Sequence, residues 1–373
     1  MGAGVIAPRV VVAGGHSAGH IEPMMNFADA LRRLEPTAEI TALGTVRGLD
    51  TTLIPARGYP LELIPPVPLP RELNWALLRT PGRLRASARA AGAVLDRARA
   101  EVVVGFGGYV AVPAYLAARR RGLPIIVHEA NARPGVANRL AARMTTHVFT
   151  AAPSVRLAHA TAIGIPLRPA ITGLDRPALR DSARQRFGLR PDGPVLLVTG
   201  GSQGARAINI AVSGAAAALR ATGVQVLHIA GPRHVVEVPD GDPADPPYVV
   251  IPYLDEMRYA YAAADFVICR SGAMTCAELA AVSLPAAYVP LPPRGGEQRL
   301  NAAPVVAAGG ALLVNDADLD PAWIETTLIP VLIDPERIAA MSARASATGA
   351  LDADVVLARY VLAAVAERRR SAS

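Results

Sequence analysis

Between the apolar run Asp265-Phe-Val-Ile268 and the helical run Ala273 to Val282 lies Cys269-Arg-Ser-Gly-Ala-Met-Thr-Cys-Ala-Glu278. The apolar run reads as a buried parallel strand, so the chain turns through Ser271-Gly272 directly into a helix. The first N–H groups of such a helix have no partner within it. With the positive end of the helix dipole they form a place for a phosphate or diphosphate. Gly272, lacking a side chain, lets an anion approach the main chain. Glu278 falls about one and a half turns into the helix, where a carboxylate can accept both hydroxyls of a ribose. Together these groups fit a nucleoside diphosphate; the plainer alternative is a strand–turn–helix with a surface glutamate.

A second set of ionisable groups follows other strands. His20 closes Gly14-Gly-His-Ser-Ala-Gly-His20, after Arg9-Val-Val-Val-Ala13, and Glu129 and Asn131 follow Pro124-Ile-Ile-Val127. A histidine at a helix start titrates near neutrality and can take a proton from a hydroxyl. It can equally cap its helix or hold an anion. Glu129 is a second candidate base, or a group that orients a partner or sits in a salt bridge.

Positioning these residues requires strands that end in glycines, and the chain supplies them twice. In the first half, Arg9 to Gly15 ends in glycines and Pro23 is expected to open a helix reaching Leu34. Thr41-Ala-Leu-Gly44 and Glu62-Leu-Ile64 read as strands. Glu101 to Tyr109 repeats the strand-into-glycine pattern before a helix from Val112 to Arg121. Pro124 to Glu129 is a further strand, followed by a helix from Val136 to Arg143. Ala160 to Pro169 reads as a last strand and a stiff, proline-bearing hinge. The pattern then restarts with Pro194-Val-Leu-Leu-Val-Thr-Gly-Gly-Ser-Gln-Gly204, a helix from Ala205 to Ala221, and five more strands ending near Val314. Alternating strands and helices predict α/β architecture: two Rossmann-like, doubly wound parallel sheets facing across a cleft. The expected domains are 1–168 and 169–348, with the final helix, within 349–373, packing back on the first. Ligands of such sheets bind beyond the carboxyl ends of the strands, where the glycines, His20, Glu129 and Asn131 fall.

Composition bounds the rest. A length of 373 residues suits two domains. No run of 18 or more apolar residues appears, and Met1 to Val12 lacks a signal-peptide pattern. Cys269 and Cys276 have neither disulfide nor metal-ligand spacing and read as packing residues. All basic residues are arginines, and the net charge of +7 favours anionic partners. Scattered arginines and few aromatics fit nucleic acid poorly. A dinucleotide site is disfavoured, because His16 stands where Gly-x-Gly-x-x-Gly needs its middle glycine and Gly44-Thr45 where an acid is wanted. A P-loop is impossible without lysine. No cofactor or metal is expected.

Six motifs in order carry a resemblance: Gly14 to His20, Gly105-Phe-Gly-Gly-Tyr109, His128-Glu-Ala-Asn131, Gly200-Gly-Ser-Gln-Gly-Ala205, Cys269-Arg-Ser-Gly-Ala273 and Gly296-Glu-Gln-Arg-Leu-Asn301. Nearly end to end, the chain resembles the MurG family, the UDP-N-acetylglucosamine–lipid I glycosyltransferases of peptidoglycan synthesis, which are GT-B enzymes of glycosyltransferase family 28. The resemblance implies inverting, metal-independent transfer of N-acetylglucosamine from UDP to lipid I, giving lipid II. It assigns the acceptor to the first domain and the donor to the second. By position it implies that Ser17, Ala18, Gly19 and His20 face the acceptor, that Asn131 helps hold sugar or acceptor, and that Arg168 and Ser202 lie near the donor. Leu254 would meet uracil, Ala273, Met274, Thr275, Cys276 and Ala277 the diphosphate, and Glu278 the ribose. Glu297, Gln298 and Asn301 would read the sugar hydroxyls. His20 and Glu129 are the implied catalytic pair. Ala18, Ala130, Ile165 and Glu297 depart from the family's glycine, glutamine, asparagine and glutamine, the last bearing on sugar recognition. The alternatives are a relative that decorates a soluble natural product and a catalytically silent sugar-nucleotide binder.

The implied location is peripheral, on the cytoplasmic face of the cell membrane, with contacts to other cell-wall synthesis proteins. Between Pro66 and Ala100, seven arginines stand against two acids, interleaved with Leu73, Trp75, Leu77 and Leu78. An apolar ridge ringed by charges such as Arg79 and Arg83 suits an anionic membrane surface. The alternative is a helix packed on the sheet with a solvated basic face.

Overall fold

The computed structural model describes residues 7–67, 75–292 and 296–372. The chain divides into two compact units, Met1–Leu167 with Asp352–Ser373, and Arg168–Leu351. Each is built on one wholly parallel sheet, as the alternation of strands and helices predicts.

The first sheet comprises β1 (Arg9–Gly14), β2 (Glu39–Gly44), β3 (Leu61–Leu63), β4 (Val102–Gly107), β5 (Ile125–Glu129), β6 (Val148–Thr150) and β7 (Ala160–Ala162). Their order is β3-β2-β1-β4-β5-β6-β7. Strands buried on both faces need apolar residues at every position, and the runs Val10-Val-Val12 and Val102-Val-Val104 supply them. Val10, Val12 and Val104 pack with the helices Ala18–Leu34 and Ala353–Ala372, through Ile21, Phe27, Leu357 and Val361. Val11 and Val103 point the other way, into the layer of the helices Trp75–Arg97 and Ala111–Arg120.

The second sheet comprises β8 (Val195–Thr199), β9 (Gln225–Ile229), β10 (Tyr248–Ile251), β11 (Phe266–Cys269), β12 (Ala286–Tyr288) and β13 (Ala311–Leu313), ordered β10-β9-β8-β11-β12-β13. Val195 and Leu197 face one core, Leu196 and Val198 the other. In both sheets the strand order reverses at the centre, between β1 and β4 and between β8 and β11. Crevices open beyond the carboxyl ends of strands at such points, so the topology marks the two glycine-loop regions as candidate sites.

Two helices differ from the sequence reading. Pro23 lies inside the Ala18 helix rather than at its start. The Ser17 carbonyl accepts the N–H groups of both His20 and Ile21 at 3.1 Å, so helical bonding begins before the proline. The expected helix from Ala205 to Ala221 is broken into Arg206–Gly214 and Ala216–Ala221. There Gly214 packs so closely on Pro321 that a Cβ would lie 2.7 Å from its ring.

Leu73 lies outside the described residues. Of Trp75, Leu77, Leu78 and Arg79 only the backbone, in the Trp75 helix, is described, whereas Arg83 is exposed. Among the described residues no helix is long and apolar enough to cross a membrane.

Candidate functional site

In the first unit, the loop after β1 is shaped by one buried carboxylate. Asp50 accepts the His16 N–H at 2.6 Å and the Thr45 N–H at 2.8 Å, tying the ends of β1 and β2 together. His16 takes a positive φ of 78° in this turn, and the Ala18 helix starts immediately after it. Ser17, at its N-cap, places Oγ 3.0 Å from His20 Nδ1. Ser17, Ala18 and His20 are half-buried and Gly19 is exposed. Burial, then the neighbouring His16, holds the His20 imidazole below its ordinary pKa, with Asp50 pulling the other way.

His20 faces the end of β4. A Cβ on Gly107, whose φ is +92°, would stand 3.1 Å from His20 Cδ2 and 3.3 Å from both His20 Nε2 and Asn138 Nδ2. Glycine is required at this position both by conformation and by the closeness of the two side chains. Asn138 is fully buried, donates to Glu129 Oε2 at 3.0 Å and to the His128 carbonyl at 3.1 Å, and accepts from the Tyr115 hydroxyl at 2.8 Å. Glu129 also accepts the Asn131 N–H through Oε1 at 3.0 Å and the Gly135 N–H through Oε2 at 2.9 Å. Its carboxylate, 2% exposed, therefore shapes the loop that carries Asn131. Beneath it His128 is fully buried and bonded to the Gly164 carbonyl; burial lowers its pKa to about 4.

The second unit centres on the turn after β11. Gly272 is the N-cap of the helix Ala273–Ala281, with φ −62° and ψ 148°. Nothing in the fold demands glycine there: a Cβ would make only an ordinary 3.7 Å contact with Thr275 Oγ1. The open space in front of the helix therefore coincides with a glycine that packing does not explain. Ala273, Met274, Thr275, Ala277 and Glu278 are half-buried along the same helix, while Cys276 turns its side chain into the core. Burial pushes the Cys276 thiol up to about 12, leaving only the main chain to meet a ligand at that residue.

Glu278 is oriented from below. The Tyr261 hydroxyl, on the helix Met257–Ala263, donates to Glu278 Oε2 at 2.8 Å. Burial and the adjoining carboxylate push the Tyr261 pKa well up, so it remains a donor. Arg270 braces the turn from the other side, donating to the Val289 carbonyl at 3.1 Å and pairing with Asp316. The hydroxyl of Ser271, buried between Arg270 and Gly272, has no hydrogen-bond partner among the described residues.

The other positions gather around this turn to different degrees. Asn301, on the helix Glu297–Ala307, donates to the Ser271 carbonyl at 3.3 Å, and Gln298 accepts the Leu291 N–H at 3.0 Å. Glu297 is exposed at the start of that helix. Arg168 is exposed at the N-cap of Pro169–Thr172, a short helix that packs on the Ala273 helix. Ser202 is exposed in the loop beyond β8, and Leu254 is half-buried against the core under β9 and β11. Ala130 and Ile165 are buried. Asp50, Asn138 and Tyr261 escaped the sequence reading, because each acts through a partner that spacing along the chain does not reveal. Among the described residues no three His, Cys, Asp or Glu side chains converge as metal ligands do.

Replacing Gly272 by alanine tests whether the helix start holds an anion. The variant is expected to melt like the parent, since the added methyl meets nothing closer than 3.7 Å, yet to lose about tenfold or more in affinity for UDP by calorimetry. Unchanged affinity would exclude this turn.

Comparison with known proteins adds a second line. The profile of the glycosyltransferase family 28 N-terminal domain matches residues 10–150, and that of its C-terminal domain matches 195–357. In Streptomyces avermitilis, a UDP-N-acetylglucosamine–N-acetylmuramyl-(pentapeptide) pyrophosphoryl-undecaprenol N-acetylglucosamine transferase is 56% identical over 97% of this chain and 100% of its own length. A protein of the same description from Mycolicibacterium smegmatis is 56% identical over 98% and 96%. Among solved structures, Acinetobacter baumannii MurG superposes with a TM-score of 0.79 at 25% identity, covering 96% of this chain and 99% of that one. A UDP-GlcNAc 2-epimerase from Neisseria meningitidis shares the fold, with a TM-score of 0.64 at 15% identity over 95% and 99%.

Proposed function

The chain belongs to glycosyltransferase family 28, and from that premise we propose that it transfers N-acetylglucosamine from UDP-N-acetylglucosamine to the C4 hydroxyl of the lipid-linked N-acetylmuramyl-pentapeptide, lipid I, yielding lipid II. The full-length relatives carry this activity in their names. The observation that carries the reading in this chain is the glycine-capped Ala273 helix with Glu278 held in place by Tyr261.

Transfer with inversion is a direct displacement at the anomeric carbon: the acceptor oxygen attacks, UDP leaves, and the acceptor proton goes to a base. His20 is that base. For Nε2 to accept the proton, Nδ1 must carry its hydrogen and donate it to Ser17 Oγ, the contact seen at 3.0 Å. Its lowered pKa keeps the imidazole neutral and ready at pH 7. Glu129 acts as a positioning residue, holding Asn131 and, through Asn138, the wall beside His20. In the second unit, the N–H groups opening the Ala273 helix and Arg168 take up the charge that develops on departing UDP. The ribose hydroxyls go to Glu278, uracil to the Leu254 main chain, and the sugar to Glu297, Gln298 and Asn301. The first unit, Met1–Leu167 with Asp352–Ser373, thus serves the acceptor and the second, Arg168–Leu351, the donor.

Incubation with UDP-N-acetylglucosamine and a lipid I analogue tests the whole reading: UDP should appear only when both are present. Release with a soluble aglycone but not with lipid I would replace the acceptor assignment. The enzyme would work peripherally at the cytoplasmic face of the membrane. Replacing Leu73, Trp75 and Leu78 together with serine should then weaken binding to anionic vesicles, read by cosedimentation, about 100-fold or more, at about 1 kcal/mol or more per buried apolar side chain. Equal binding by parent and variant would refute docking through that ridge.

A further inference from the structure

The loop beyond β8, Gly200-Gly-Ser-Gln-Gly204, carries Ser202 and leaves the second sheet between two neighbours. Thr199, at the end of β8, pairs with Cys269 of β11 on one side and Ile229 of β9 on the other. Adjacent strands lie about 4.8 Å apart, so the loop emerges beside the Ser271-Gly272 turn, with Ala230-Gly231 at its back. The two loops interlock, backbone on backbone. A Cβ on Gly231 would stand 2.5 Å from Gly204 Cα, and one on Gly204 would run into the Ala230 carbonyl. Both glycines take positive φ, +97° and +75°. Arg233 also reaches across to the side-chain oxygen of Gln203. The place of the Ala230 carbonyl thus bears directly on that of Ser202.

That carbonyl ends a chain of polar side chains inside the unit. Asn209, on the helix Arg206–Gly214, donates from Nδ2 to the Ala230 oxygen at 3.0 Å. Its Oδ1 lies 3.0 Å from His228 Nε2, and His228 Nδ1 lies 2.9 Å from the Tyr248 hydroxyl. His228 is fully buried in β9, between the apolar Leu227 and Ile229, and Asn209 is 5% exposed. Packing alone favours an apolar residue at the centre of such a strand, since a buried polar group costs free energy unless paired. Only one arrangement of hydrogens satisfies every contact. With Nδ2 donating to a carbonyl, Oδ1 must accept, so His228 carries its proton on Nε2. Nδ1 is then bare and accepts from Tyr248. Burial lowers the His228 imidazole to about 4 and raises the Tyr248 hydroxyl, which keeps the ring neutral and the phenol a donor. Every donor therefore points one way, from Tyr248 toward Ala230. Hydrogen bonds aligned in this manner polarise and strengthen one another.

We propose that His228 is a positioning residue of the donor site: through Asn209 and the Ala230 carbonyl it sets the loop Gly200–Gly204, and with it the Ser202 hydroxyl, against the diphosphate of UDP. The inference rests on the assignment of the donor to the second unit. His228 itself, fully buried, touches no substrate. Its part is to hold Asn209 in the one rotamer that meets Ala230, so that the loop is formed before the nucleotide arrives. A hydroxyl already in place gives up less conformational entropy on binding than one on a wandering loop.

The test compares variants of the full chain by calorimetry with UDP, by steady-state kinetics and by imidazole NMR. His228→Leu leaves Asn209 Oδ1 without its donor and should weaken UDP binding, and raise KM for the UDP-sugar, about tenfold. KM for a lipid I analogue should stay within about twofold of the parent's, because the first unit is untouched. His228→Gln can donate to Asn209 and accept from Tyr248 in the same sense, so it should recover most of the UDP affinity. Leucine and glutamine are close in size, so that recovery separates positioning from packing. Tyr248→Phe, which removes only the outermost hydroxyl, should show a smaller loss. In the parent, the His228 signals should report a neutral ring protonated on Nε2, and saturating UDP should shift them. A folded His228→Leu that binds UDP as the parent does overturns the inference and leaves the donor site standing. So does a His228 ring protonated on Nδ1, and should His228→Leu fail to fold, Tyr248→Phe and the ring signals decide. A parent that binds no UDP removes the donor assignment, and the inference with it.

Discussion

His20→Ala is expected to lower kcat by about 10²–10⁴-fold while leaving UDP affinity close to that of the parent. The base is needed only as the acceptor oxygen forms its bond, so its loss weakens the transition state and not the donor complex. The pH profile separates this role from a structural one. Burial and His16 lower the His20 pKa from the ordinary 6.5, so the parent should stay active through neutrality and lose kcat/KM only on acidification below that value. The direction follows from the chemistry: a protonated imidazole cannot accept the acceptor proton, and a lowered pKa delays protonation to more acidic solution. His20→Ala should lack this acid limb and keep only a low, flatter rate. His20→Gln, which keeps a hydrogen-bonding group near Ser17, should be equally slow. A variant that turns over within about threefold of the parent would remove His20 from the base role. The acceptor hydroxyl would then need another base.

Much of this arrangement is legible in the chain because buried parallel strands cannot hide. Val10-Val-Val12, Val102-Val-Val104 and Leu196-Leu-Val198 are apolar on consecutive residues, as burial on two faces requires. The glycines ending them mark the edge where ligands bind. The Ala273 helix is readable for the same reason, since a strand, a serine, a glycine and a helix follow without a break. What escapes is any contact made across the fold. A sequence search for the acid expected after β2 finds only Gly44-Thr45. The structure supplies Asp50 a few residues later, and it binds the backbone of Thr45 and His16, not a ribose. Asn138 joins Tyr115 and Glu129 across |i−j| of 23 and 9, and Tyr261 reaches Glu278 across 17. β6 is only Val148–Thr150, too short to announce itself against the adjoining loops. Pro23 misleads because a helix start is set by where the first carbonyl finds a donor, and Ser17 provides that earlier.

Glu278→Ala is expected to raise KM for the UDP-sugar by about 10- to 100-fold or more, because even one hydrogen bond to a charged group contributes about 1.5–3 kcal/mol. The carboxylate binds the ribose in ground state and transition state alike, so kcat should change less than KM. This split is the reverse of the one expected for His20. The same substitution removes the acceptor of the Tyr261 hydroxyl, which is 3% exposed. A buried hydroxyl left unpaired costs about 1–3 kcal/mol, so a lower Tm should accompany the loss of affinity. Glu278→Gln disentangles the two effects. Its side-chain oxygen can still accept from Tyr261, so stability should return to near the parent's. The neutral amide, presenting one acceptor oxygen where the carboxylate presented two, should recover only part of the donor affinity. Tyr261→Phe completes the set: it leaves the carboxylate charged but removes the Tyr261 hydrogen bond, with an expected cost in KM smaller than that of Glu278→Ala. Were Glu278→Ala to lower Tm without moving KM, the carboxylate would serve the fold and not the ribose, and the nucleotide would have to be held by another part of the second unit.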